Sequence, residues 1–157
     1  NVMAIENENM YRQERIRKYR EIFEPLFRYI PWLTEKQGVN TSYQYQDAEM
    51  AENTMPIKVY DPTLLAFVKE MQATELMTRN YIYVFSRCRL KTVRDELAWI
   101  DRSELENIED IFDIMAKYVL GGMTKGSLWT QAVEDGVFLK ALLRIKELLC
   151  VWDGPLA

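Results

Sequence analysis

The sequence predicts an all-α protein, a compact bundle of five or six helices with an irregular arm at about 34–60 that admits a short β-hairpin. Three observations carry this expectation. Apolar residues recur at i, i+3, i+4 and i+7 over most of the chain. Residues that start and stop helices flank those stretches. Strand-like alternation is confined to the arm. At 157 residues, with 48% hydrophobic and 28% charged, the chain can bury a substantial core, so one domain over 1–157 is expected.

The polar stretch Asn1–Asn9 does not begin with Met and is assigned to a flexible end. From Met10, a stripe of Tyr19, Ile22, Phe23, Leu26, Phe27 and Ile30 predicts the first helix. Pro25 lies inside it and removes a backbone donor, which predicts a kink or break, and Pro31 marks a boundary. Within the arm, Val39, Thr41, Tyr43 and Tyr45 alternate, and Ile57, Val59 and Tyr60 offer a second strand.

Asp61-Pro62 is a helix start, because an Asp side chain accepts from orphan amides and Pro at the first helical position loses nothing there. Leu64, Leu65, Val68 and Met71 carry that helix to about Thr74. A shorter helix is expected from Asn80 to Cys88, with Ile82 and Phe85 inward, and Val93, Leu97 and Ile100 continue the period. Ser103 and Glu106 form a candidate capping box. After it come Leu105, Ile108, Ile111, Phe112, Met115, Tyr118 and Val119, the cleanest stripe in the chain, stopped by Gly121 and Gly122. Ser127 is expected to cap a short helix bearing Leu128, Trp129, Ala132 and Val133. Gly136 interrupts it before a final helix built on Phe138, Leu142, Ile145 and Leu149, with Leu139 and Leu143 widening the stripe.

Several chemistries are excluded. The chain has no histidine, which rules out Ser-His-Asp, Cys-His and His-metal sites. Cys88 and Cys150 are far apart, belong to no CxxC pair, and read as reduced, packed thiols. No EF-hand pattern organises the carboxylates, so neither a metal, a cofactor nor a catalytic residue is assigned. No stretch approaches about 18 consecutive apolar residues, and no export signal is evident, so no membrane partner and a cytoplasmic location are expected. Asn40-Thr41-Ser42 matches a glycosylation tripeptide, which recurs by chance and needs export.

Three places offer a site. Gly121 and Gly126 have P-loop spacing, but Ser127 stands where the Lys should be and a helix precedes the loop in place of a strand. What remains is a turn, Gly122, Lys125, Gly126, Ser127 and Trp129, able to present helix amides to a phosphate or nucleotide-like anion. Its plainer reading is a C-cap, a turn and an N-cap in succession.

Second, residues 79–94 hold Arg79, Arg87, Arg89, Lys91 and Arg94 with no acid, whereas residues 95–113 hold eight acids against Arg102 alone. Arg87, Arg89 and Lys91 could contact an acidic partner or nucleic acid. The net charge of −4 argues against nucleic acid, and mutual neutralisation of the two runs is the simpler account. Third, Trp32, Tyr43, Tyr45 and Tyr60 sit in or beside the arm, as anchors for a protein (a partner or a second copy) or a small ligand, or as a cover over the bundle.

The run from Gly126 to Gly136, followed by Phe138-Leu139-Lys140 and Leu142-Leu143-Arg144-Ile145-Lys146, together with Tyr60-Asp61-Pro62-Thr63-Leu64-Leu65, resembles a bacterial family of small proteins of unknown function. The resemblance implies a helical bacterial protein and supplies no catalytic residue. A non-enzymatic cytoplasmic interaction module is the expected function. The alternatives are anion binding or turnover at the Gly121–Trp129 turn, and nucleic-acid association through 79–94.

Overall fold

A computed structural model describes residues 2–45 and 57–151. Helix α1 (Val2–Phe23) runs into a 3₁₀ segment (Glu24–Tyr29) and then α2 (Ile30–Lys36). Strands β1 (Ser42–Tyr45) and β2 (Ile57–Tyr60) follow, then α3 (Pro62–Ala73), α4 (Tyr81–Arg87), α5 (Val93–Arg102) and a 3₁₀ turn (Leu105–Asn107). Helices α6 (Ile108–Gly121), α7 (Ser127–Glu134) and α8 (Val137–Val151) complete the order. The protein is mostly α-helical with one small antiparallel hairpin, as its sequence predicts.

The described residues hold eight α-helical segments, more than the five or six expected, because Pro25 and Pro31 subdivide the first stripe and a capping box at Thr92 starts α5 afresh after α4. Pro25 cannot donate to a carbonyl four residues back, so the chain tightens into the 3₁₀ segment there without leaving the core. The start of α1 is also a correction. Residues 2–9 contain neither Gly nor Pro and extend the helix, though their side chains stay exposed and the core face begins at Ile16.

Helix α6 is the centre. Ile108, Ile111, Ile114, Met115, Ala116, Tyr118 and Val119 are fully buried, so most of the helix's circumference is covered, and it packs against α3, α4, α5, α7 and α8. Helix α8 packs beside it, burying Val137, Phe138, Ala141, Leu142, Ile145 and Leu149. Each of these Val, Leu, Ile, Met and Phe side chains contributes about 1.5–3 kcal/mol by leaving water. Phe67 of α3 and Tyr118 of α6 both meet the Phe138 ring edge-on, and Phe23 of α1 stacks on Phe112.

Most local signals hold. Asp61 caps α3 by accepting from the Thr63 amide at 2.8 Å. The box expected at Ser103–Glu106 lies one residue on, between Glu104 and Asn107. Ser103 is buried and closes α5 instead, its hydroxyl donating to the Trp99 carbonyl at 2.7 Å while Arg144 donates to its carbonyl at 2.8 and 3.0 Å. An unpredicted box opens α5, where the Asp95 carboxylate accepts from the Lys91 and Thr92 amides at 3.0 and 3.1 Å. Three inward assignments also fail, Leu143 of the α8 stripe being exposed. Ile82 and Leu65 are exposed, because α4 packs on α6 through Val84 with Phe85 beside it, and α3 turns Phe67 inward.

Candidate functional site

The hairpin is a ribbon in which Ser42 pairs with Tyr60, Tyr43 with Val59, Gln44 with Lys58 and Tyr45 with Ile57. Side chains alternate between its faces. Tyr43 and Val59 are directly opposite and both exposed, at 56% and 42%. Tyr60 is half-buried and meets the Trp129 ring edge-on, with centroids 5.6 Å apart. Asp61 N–H donates to the Thr41 carbonyl at 2.9 Å and closes the ribbon's base, where Thr41 itself is buried.

Trp129 is held in turn, its indole Nε1–H donating to the Val119 carbonyl at 3.0 Å. Two glycines make room for this arrangement. A Cβ at Gly122 would overlap the Trp129 indole, and one at Gly126 would overlap the Tyr60 ring. The Gly121–Trp129 turn is thus the seat into which the arm's root is packed.

That packing bears on the turn's amides. Leu128 N–H donates to the Lys125 carbonyl and Trp129 N–H to the Gly126 carbonyl, each at 3.0 Å, so two of the amides that could hold an anion are already bonded. Ser127 is the first residue of α7, not its cap; the N-cap is Gly126, and no side chain bonds there. Lys125 is exposed and Gly122 is buried. Of the arm aromatics, Trp32 and Tyr60 pack partly buried against the core, Tyr43 is presented outward, and the Tyr45 side chain lies outside the described residues.

The basic stretch divides differently. Arg87 donates to Asp110 Oδ1 at 2.7 Å, and Trp99 Nε1–H donates to Asp110 Oδ2 at 3.2 Å, so one buried carboxylate ties α4, α5 and α6 together. The acidic run is matched in the same way by basic residues of other elements. Arg12 pairs with Glu106, Arg15 with Glu109, Lys140 with Asp101 and Arg144 with Glu104. Arg89 and Lys91 are exposed beyond the end of α4.

Sequence reasoning passed over Asp110 and Glu96. Glu96 is 1% exposed and accepts from the Tyr118 hydroxyl at 2.6 Å, with Lys117 Nζ 3.5 Å from its other oxygen. Spacing gave no signal for Asp110, because α6 also carries Glu109, Asp113 and Lys117 and nothing in the pattern says which carboxylate is buried and must be paired. Asp113, one turn on, has its carboxyl raised to about 6, first by burial and then by the charges of Asp110 and Glu109. Burial likewise raises the Cys88 thiol. Cys88 is half-buried, whereas Cys150 is exposed, so only the former is packed as expected; neither is bonded.

Among the described residues no group of Cys, Asp and Glu is arranged to hold a metal, and no helix is long and apolar enough to cross a membrane. Comparison with family models, with curated proteins and with solved structures gave no match.

Proposed function

We propose that this protein is a non-enzymatic interaction module of a bacterial cytoplasm, and that the β1–β2 arm is its contact surface. The observation that carries the reading is the exposed Tyr43–Val59 cross-strand pair on a ribbon whose root is pinned through Tyr60 and Trp129. Rigid anchoring lowers the ordering cost of binding, and an aromatic beside a β-branched residue makes an efficient contact. Among the described residues each strand pairs only with the other, so their outer edges are open to a strand from a protein partner or a second copy. The bacterial setting rests on the resemblance of the 126–146 region.

A photo-crosslinking amino acid placed at position 43 tests this in cells. Discrete intermolecular adducts are expected there, and none from the same group at Leu143, an exposed position on α8. Equal adducts from both positions, or none from position 43, would reject the arm as the contact surface. Light scattering of the purified chain separates a second copy from a different partner.

A further inference from the structure

A cavity of about 420 Å³ lies where the end of α4 meets α5, lined by Cys88, Arg89, Leu90, Asp95, Ala98, Asp101 and Arg102. Its four charges are not equivalent. Asp95 is occupied by the Lys91 and Thr92 amides, and Asp101 by Lys140 Nζ at 2.8 Å. Arg89 and Arg102 have no carboxylate within ion-pair distance among the described residues. Asp95 keeps its charge, since amides are neutral, but its oxygen is already engaged. The charged groups in the cavity left without a polar partner among the described residues are two guanidinium groups, one from the α4–α5 connection and one from the end of α5.

Arg102 is held at its side chain and Arg89 at its backbone. The Arg102 guanidinium lies 4.9 Å from the centre of the Trp99 ring, and that ring is fixed by Asp110, which Arg87 braces. Arg89 sits at φ 55°, in the left-handed region. Leu90 N–H donates to the Phe85 carbonyl at 2.9 Å and Arg89 N–H to the Ser86 carbonyl at 3.3 Å, which is a Schellman ending with Arg at the position that glycine favours. Only Glu75 shares a positive φ among the described non-glycine residues. A side chain kept at a strained backbone position, lining a cavity, points to a use for that side chain.

We propose that this cavity binds a small phosphomonoester, with its phosphoryl oxygens on the Arg89 and Arg102 guanidinium groups and its organic part against Leu90 and Ala98. A phosphomonoester carries nearly two negative charges near neutral pH and three terminal oxygens, which two guanidinium forks satisfy better than they satisfy a single carboxylate. The cavity also exceeds what inorganic phosphate alone would fill, which leaves room for an apolar remainder. These residues are distinct from the arm, so the site stands or falls independently of the contact surface proposed above.

Calorimetric titration of the full chain with phenyl phosphate, inorganic phosphate and benzoate at pH 7.5 and low salt tests the site. Phenyl phosphate is expected to bind one to one, with inorganic phosphate weaker and benzoate at least about tenfold weaker. Arg89→Gly is the decisive variant. It removes the guanidinium while relieving the backbone, so affinity should fall by about tenfold or more while Tm stays level or rises. Arg102→Gln should lose affinity comparably. No heat from phenyl phosphate, equal binding of benzoate, or parental affinity in Arg89→Gly would each overturn the proposal.

Discussion

Gly126 shows how a residue can be dictated by what lies across from it. Its absent side chain is where the Tyr60 ring sits, so Gly126→Ala must displace either the ring or the turn. Overpacking of this kind costs about 1–3 kcal/mol, and urea unfolding should register it. If Tyr60→Ala is made first, most of that penalty should vanish. Asp113 makes a different prediction, one that depends on pH. Its ordinary value is 3.8 and its folded value about 6, so the folded chain holds the proton over a range where the unfolded chain has lost it. Stability attributable to this group is therefore present below about pH 4 and is lost as pH rises through about 6. Asp113→Asn should recover about 1 kcal/mol at pH 7.5, less than the full electrostatic difference because water screens a half-exposed side chain. At pH 4 the same substitution should change little, and equal gains at both pH values would contradict the assignment.

Between elements, buried carboxylates act as fasteners. Glu96 joins α5 to α6 through the Tyr118 hydroxyl, whose own ionisation burial and Glu96 suppress. Tyr118→Phe keeps the ring against Phe138 and removes only the donor, leaving a buried charge short of a partner. A loss of about 1.5–3 kcal/mol is expected by thermal or urea unfolding. The sequence shows why these fasteners were hard to read. Periodicity marks the core of α6 and α8 because apolar spacing is local information. Nothing local says that Glu96 faces Tyr118, or that Asp110 faces both Arg87 and Trp99, since those pairings depend on how α4, α5 and α6 cross. The shift of the capping box from Ser103 to Glu104 has the same origin. Ser103 is drawn inward by Arg144 from α8, 41 residues away.

At the scale of the molecule, the buried apolar side chains form a cluster to which Tyr43, Gln44, Lys58 and Val59 do not belong. Ser42 and Tyr60 are register partners, so an Asn-Gly turn can join them directly. A chain shortened in this way should keep a cooperative thermal transition within a few degrees of the parent. Loss of that transition would mean that the arm completes the core. The hairpin itself was legible as alternation at 42–45 and 57–60, and the roles of its aromatics were not. Tyr43 and Tyr60 are equivalent in type and neighbourhood along the chain. Only the ribbon's two faces, one turned to Trp129 and the other to solvent, separate them.

The edge-on contact of Tyr60 with Trp129 has an optical consequence. Indole emission responds to the packing and polarity around it, and this indole sits at the root of the only hairpin among the described residues. Trp99 lies instead beneath the Arg102 guanidinium. Two of the chain's four tryptophans therefore sit at its two proposed surfaces, and the change on removing each isolates its signal from the others. Single Trp129→Phe and Trp99→Phe variants would let emission report separately on the arm and on the arginine-lined cavity, with no added label.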